Sequence, residues 1–308
     1  MRRFATLLSL ICLCAIQGFS QEWGTRWICH PQAPDTAQVW FRKRVETTAP
    51  QEKAFITVAS TGRFRLYVNE RNVVTDPFLG AIDSLERHIK QYTIDVSRFL
   101  EGRETTIAVW YAPTSKRRSD KQLSLEFYGK DQRGKSFYAQ ADGSWFCKEA
   151  SSATLGAGRE AIDATRYDKL WHSTELKEKD WQRPMDSADT LTLPLQDTSP
   201  LYQGIRMSHV LSAVDEVADS TGVTFDFGRP FRGWVRITLR GAKKGERLCF
   251  GDHSYVCGGQ MDEQAFPRFT ITKQRFVKVS GDERFRREQI QNIEGVEVET
   301  YPHTHYQY

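Results

Sequence analysis

Phe225 to Gly241 reads FDFGRPFRGWVRITLRG, and its second half decides the fold class. Val235, Ile237 and Leu239 alternate with Trp234, Arg236, Thr238 and Arg240, the period of two expected of a half-buried strand. The piece before it, FDFGRPFRGW, has no simple period. An acid sits between aromatics, followed by a glycine, a proline, a second glycine and a tryptophan. Gly228 and Gly233 are read as permitting a turn, with Trp234 opening a packed strand. Asp226 is read as capping turn amides near Gly228; the alternative is a buried acid with a raised pKa.

The same alternation recurs on both sides. VWFRKRV (Val39–Val45), TTIAVWYA (Thr105–Ala112), QLSLEFYG (Gln122–Gly129) and RFVKVSG (Arg275–Gly281) each read as strands bounded by turn residues. AFITVAS and RFRLYVN, either side of Thr61-Gly62, read as a strand pair. Helical periodicity is scarce: one turn over Val96–Leu100, and a short helix over Glu283–Ile293 with Phe285 and Ile290 inward. Many short strands at regular spacing predict an all-β chain of two jelly-roll-like β-sandwich domains with few short helices. The boundaries read as 21–181 and 201–308, joined by a Pro-, Asp-, Ser- and Thr-rich linker at 182–200.

Residues 1–20 read as a signal peptide: Arg2 and Arg3, then the apolar run FATLLSLICLCAI, then Ser20 as the small residue before the cut. The run is too short to span a membrane, so the expectation is export to the periplasm or beyond. Without the leader, Cys29, Cys147, Cys249 and Cys257 remain. Their spacing has no CxxC, and a Cys249–Cys257 bridge across a hairpin and a pair of buried thiols are both open. A net charge of +4 over 308 residues predicts no nucleic-acid partner.

Standard enzyme motifs are absent: no GxSxG, HExxH, P-loop or GxGxxG occurs. His303-Thr304-His305 would point two imidazoles to one side of a strand, but it lies at the frayed end of the chain, and neither metal nor cofactor is expected. Exported β-sandwiches bind sugars by stacking aromatic rings on them and hydrogen-bonding the hydroxyls. Candidates for such a rim are Tyr111, with Lys116, Arg117 and Asp120 in the loop that follows, and Asp252 with His253 after the strand RLCF. Trp27, Trp40, Trp145, Trp171, Trp181 and Trp234 read as core or inter-domain packing.

The order of motifs adds a resemblance. TGRFRLYVNERNV (Thr61–Val73), QYTIDVSRFLEGRETTIAV (Gln91–Val109), DGSW (Asp142–Trp145), GREAIDAT (Gly158–Thr165) and DW (Asp180-Trp181) occur in sequence. FDFGRPFRGWVRITLRG and PRFTITKQRFVKVSG (Pro267–Gly281) follow. This series resembles the N-terminal β-sandwich region of bacterial α-L-rhamnosidases, glycoside hydrolase family 78. Glu70 stands where the family has a turn glycine, Thr165 where it has arginine, and Arg229-Pro230 where it has Gln-Asn. The chain reaches Tyr308 about where the family's helical catalytic domain begins, so no catalytic residue is carried over. The resemblance implies a non-catalytic carbohydrate-binding or scaffold protein for a rhamnose-containing plant or microbial polysaccharide. The alternative is one part of a split or truncated rhamnosidase, partnered by a separately encoded catalytic domain.

Overall fold

A computed structural model of the chain describes residues 26–80, 89–114, 121–187, 195–197 and 201–304. The signal-peptide reading therefore lies outside the described residues. In the first half the strands are β1 (Ile28–Cys29), β2 (Ala37–Glu46), β3 (Gln51–Ser60), β4 (Arg63–Val68), β5 (Arg71–Asn72), β6 (Ile89–Asp95) and β7 (Glu104–Ala112). They continue with β8 (Leu123–Asp131), β9 (Ser136–Gln140), β10 (Phe146–Thr154), β11 (Glu160–Asp163), β12 (Met185–Asp186) and β13 (Leu195–Asp197). The second half has β14 (Leu201–Ser212), β15 (Asp215–Asp219), β16 (Gly222–Leu239), β17 (Arg247–Phe250) and β18 (His253–Val256). It ends with β19 (Glu263–Ala265), β20 (Thr272–Gly281) and β21 (Ile290–Thr304). Helical structure among the described residues is limited to single 3-10 turns, so the chain is all-β, as its alternation predicted.

Two sheets face each other in the first half. One runs β12-β1-β8-β3-β6-β13, with β9 beside β8; the other includes β10-β2-β7-β4-β5. Between them lies a core that includes Phe41, Ile56, Phe64, Leu66, Tyr111, Leu125, Phe127 and Trp145. The Thr61-Gly62 step separates β3 and β4 onto different sheets, so the pairing expected of them does not form; β3 pairs with β6 and β8. Gly62 crosses so close to β7 that a Cβ would stand 2.2 Å from the Ala112 carbonyl oxygen.

The second sheet does not stop at the domain boundary read from the sequence. β11 pairs in parallel with β18, Ile162 opposite Tyr255, and carries the ladder into β17, β20, β16, β21 and β14. The described parts of the expected linker also take sheet positions, with β12 on β1 and β13 on β6. A second core gathers Phe225, Phe231, Ile237, Leu248, Phe250, Val277 and Ile293. A third, rich in tryptophan, fills the outer face of β2, β7 and β10: Trp40, Trp110, Trp171 and Trp181 with Ile205 and Phe269 from the second half.

The opening stretch resolves into one long strand, not a turn followed by a strand. β16 keeps its odd-numbered residues buried from Val223 to Leu239, except for the exposed Arg229. Opposite β20 it carries a bulge in which residues 227–230 face Arg275 alone. Pro230 and Gly228 (φ 75°) occupy that bulge, where no ladder bond is required of proline and a left-handed residue is tolerated. Asp226 accepts from Gly228 N at 2.8 Å and from Arg275 at 2.8 and 2.9 Å. Its carboxyl is held below the usual range, first by Arg275. The capping reading is therefore the one the structure has. The helix expected over 283–293 shrinks to one 3-10 turn at Arg287–Gln289, because Ile290 already begins β21. At the β4–β5 turn, Asn69 (φ 46°) and Glu70 (φ 69°) are both left-handed. Glu70 takes this glycine-favouring position while its carboxylate accepts from Ser173 Oγ at 2.6 Å and Thr174 N at 3.1 Å.

Candidate functional site

Of the residues read as a sugar rim, Lys116, Arg117 and Asp120 lie outside the described residues. Tyr111 is a correction. It is fully buried, its ring in the sandwich core and its hydroxyl 3.3 Å from Thr61 Oγ1. Alternation does send Trp110 to the opposite face, but that face is covered by the tryptophan cluster, so neither ring reaches solvent. Asp252 is exposed at the β17–β18 turn.

His253 turns inward and is buried. Its Nδ1 accepts from Glu160 N at 3.0 Å, so it tethers β18 to β11 and is not displayed to a ligand. His30 is held similarly, Nδ1 accepting from Ala33 N at 2.9 Å. Burial is the main cause pushing both imidazoles below their ordinary value. Unfolded histidine titrates near pH ~6.5. A folded pKa below that means the unfolded chain takes up protons first, so these sites stabilise the fold above about pH 6.5 and lose that contribution as pH falls. Urea midpoints are expected to fall between pH 7.5 and 5.5. In His253→Asn, which keeps an acceptor but cannot titrate, the dependence should be shallower; an unchanged slope would contradict the assignment.

The cysteines on the hairpin do not face each other. Cys249 lies opposite Ser254 and is exposed, whereas Cys257 is buried. Among the described residues no group of three or more His, Cys, Asp or Glu side chains is placed to hold a metal. No helix among them is long and apolar enough to cross a membrane.

A different surface has the chemistry sought at the rim. On β3, β6, β8 and β9 the side chains that point away from the core form two rows. Asp95, Phe55, Tyr128 and Tyr138 stand opposite one another across the four strands, as do Thr93, Thr57, Glu126 and Gln140. Phe55 and Tyr128 are stacked, ring centroids 5.9 Å apart and 26° between planes. Lys53 Nζ lies 5.4 Å from the Phe55 centroid. Tyr138 is 41% exposed and donates to Glu126 Oε1 at 2.8 Å. Burial and that carboxylate push its hydroxyl above its ordinary value, so the phenol stays a neutral donor. Thr57 Oγ1 lies 3.2 Å from the Tyr128 hydroxyl and 3.1 Å from Thr93 Oγ1. Of these residues, Lys53, Phe55, Thr57, Glu126, Tyr128 and Tyr138 line an open depression of about 650 Å³. Flat aromatic area on a rigid sheet, bordered by hydroxyls, a carboxylate and an ammonium, suits a ligand with apolar faces and a polar edge.

No protein-family model matches the chain, and no curated protein does. Solved structures do. The α-L-rhamnosidase of Dictyoglumus thermophilum superposes with a TM-score of 0.77 at 17% identity, over 91% of this chain and 36% of that enzyme. That of Aspergillus terreus gives 0.75 at 16% identity, over 90% and 36%. The Streptomyces avermitilis α-L-rhamnosidase, solved with L-rhamnose, gives 0.74 at 18%, over 86% and 29%. The resemblance read in the motifs is therefore a resemblance of fold, and the chain spans about a third of the length of these enzymes.

Proposed function

We propose that this protein is an exported, non-catalytic carbohydrate-binding protein that holds a polysaccharide on the outer face of its first sheet. The observation that carries the reading is the aromatic row of Phe55, Tyr128 and Tyr138, set beside Thr57, Glu126 and Lys53 on one open face. A pyranose ring presents a C–H face to such rings and its hydroxyls to the flanking polar groups. The N-terminal pattern supports export, and the fold shared with α-L-rhamnosidases supports a rhamnose-containing polysaccharide as the first ligand to test. A second reading, a non-catalytic part of a rhamnosidase working with a separately encoded catalytic domain, is favoured by the fraction of those enzymes' length that the chain covers. Co-purification with a catalytic partner separates the two.

The test is binding to immobilised rhamnose-containing and other plant or microbial polysaccharides. Each of Tyr128→Ala and Tyr138→Ala is expected to weaken binding about tenfold, since a ring–sugar stack is worth roughly 1–2 kcal/mol. Both side chains lie on the solvent side of the sheet, so melting should change little. Retention of full binding by the double variant would end the proposal.

A further inference from the structure

Charge is spread unevenly around the depression on the first sheet. Lys53 and Lys130, both in its wall, stand directly opposite each other on β3 and β8, and Ser136 of β9 continues their row. Both lysines are exposed. Like charges set opposite on one face of a sheet repel and weaken the pairing. The Lys53 ammonium lies over the Phe55 ring, and among the described residues neither ammonium makes an ion pair or a hydrogen bond. The β8–β9 turn brings two more exposed cations, Arg133 and Lys135, whose side chains are also unpaired among the described residues. Gln132 N donates to the Pro50 carbonyl at 2.9 Å, which holds this turn beside the start of β3.

The nearby acids do not neutralise this corner. Asp131 is buried, and its Oδ1 accepts from the amides of Arg133 and Lys135 at 3.0 and 2.9 Å. Asp95 accepts from the Ser97 amide at 2.9 Å. Glu126, the carboxylate in the wall, accepts from the Tyr138 hydroxyl. It lies four residues along β8 from Lys130, about 13 Å at roughly 3.3 Å per residue, beyond the ~8 Å screening length of physiological salt. Glu52, the extra residue of the bulge between Gln51 and Lys53, is exposed and forms no ion pair among the described residues. Lys53, Lys130, Arg133 and Lys135 thus outnumber Glu52 and Asp131 at this end. Setting Lys53 against Lys130 does nothing for the fold. An anion between them would make two charge-assisted contacts, beside rings that take the apolar face of a sugar.

We propose that this end of the depression makes the site selective for an anionic polysaccharide: a sugar ring lies on Phe55 and Tyr128 while a carboxylate or sulfate substituent sits between Lys53 and Lys130. This selectivity rests on the outer-face platform binding sugar at all. Two ammonium groups act as point charges and lack the fixed fork of a guanidinium, so a carboxylate and a sulfate ester are both accepted.

The experiment is calorimetric titration of the intact protein with two pairs of polymers, each pair alike in backbone and different in charge: dextran with dextran sulfate, and methyl-esterified with de-esterified polygalacturonate. In at least one pair the charged member is expected to bind at least about tenfold more tightly, and that pair names the anion. The gap should narrow as salt rises from about 0.1 M to about 1 M, where the screening length falls from roughly 10 to 3 Å. Lys130→Glu should lower affinity for the charged polymer at least about tenfold. Lys177→Glu makes the same change in net charge on an exposed loop and should lower it less than about twofold. Without ligand, Lys130→Glu should melt no lower than the wild type, because a cross-strand repulsion becomes an opposite-charge pair. Absence of binding to all four polymers, equal affinity within both pairs, or undiminished preference in Lys130→Glu each overturns the proposal. An equal loss in Lys177→Glu also overturns it, by showing attraction to net charge alone. So does a lower melting temperature in Lys130→Glu, which would assign the lysine to the fold. The platform is judged separately, by whether Tyr128→Ala weakens binding; binding that Tyr128→Ala and Tyr138→Ala leave intact brings down the platform and the selectivity together.

Discussion

Trp40→Ala is expected to lower stability by about 3–5 kcal/mol, the range for emptying a fully buried large aromatic site. Trp40 is 1% exposed and is the hub of the third core. It stacks on Trp171 with centroids 5.5 Å apart and on Trp181 at 6.4 Å, and meets Trp110 and Tyr167 edge-on at 5.9 Å each. Its neighbours cannot collapse inward easily. Trp40 rises from the middle of β2, between β10 and β7, and its partners come from separate segments of the chain. Ile205 and Phe269 of the second half pack on the same cluster. The cavity would therefore loosen the apolar contact between the halves as well as the first sandwich, and urea unfolding should broaden or split into two steps. Trp40→Phe is the control. Trp40 Nε1 is buried without a partner, so phenylalanine removes an unsatisfied N–H along with part of the ring, and its cost should be far smaller. A Trp40→Ala loss below about 1 kcal/mol would show that the cluster repacks and does not join the halves.

The fold class was legible because alternation is a local signal. In β16, Val223, Phe225, Phe231, Val235, Ile237 and Leu239 declare one buried face, whatever the partners are. Partners are not local, and the errors lie there. Nothing in AFITVAS or RFRLYVN reports that the Thr61-Gly62 step switches sheets. The Glu283–Ile293 segment has inward Phe285 and Ile290 in either conformation, so periodicity alone did not separate a short helix from a 3-10 turn entering β21.

The rim reading of Tyr111 failed for a related reason. Alternation assigns faces, and it placed Trp110 and Tyr111 on opposite ones correctly. It does not say whether a face is solvated, and the outer face of β7 is covered by Trp40, Trp171 and Phe269. The aromatic platform was missed by the converse assumption. Phe55 and Tyr128 were counted with the apolar strands that carry them, and no strand was read at Tyr138, although Phe55 is out of phase with Ala54, Ile56 and Val58, and Tyr128 is out of phase with Leu125 and Phe127. That they share a face with Thr57 and Glu126 was readable. That β3, β8 and β9 are neighbours, which turns three rings into one surface, was not.

Gly233→Ala is expected to cost about 3 kcal/mol or more, at the upper end of overpacking penalties, whereas Gly228→Ala should cost about 1–2 kcal/mol, the penalty for a side chain in the left-handed region. Both glycines belong to the stretch that opened the sequence reading, and both were assigned there to one turn. Their surroundings differ. Gly228 has φ 75°, and a Cβ would meet only the Val214 methyls, at 3.4 and 3.5 Å; its reason is backbone conformation alone. Gly233 is not in the left-handed region, but a Cβ there would stand 1.8 Å from the Val296 carbonyl oxygen and 2.9 Å from its carbon. Those are backbone atoms fixed in the β16–β21 ladder, where Gly233 lies opposite Glu297, so no rotamer change relieves the overlap and the strands must part. The strand that would be displaced carries Val296 and Val298, both buried, and runs beside β14 along most of its length. Thermal denaturation of the two alanine variants decides the matter. Gly233→Ala should melt well below Gly228→Ala, and Gly228→Asn, which accepts the left-handed region, should recover part of the smaller loss. The reverse order would mean that β16 and β21 do not approach as closely as the ladder places them.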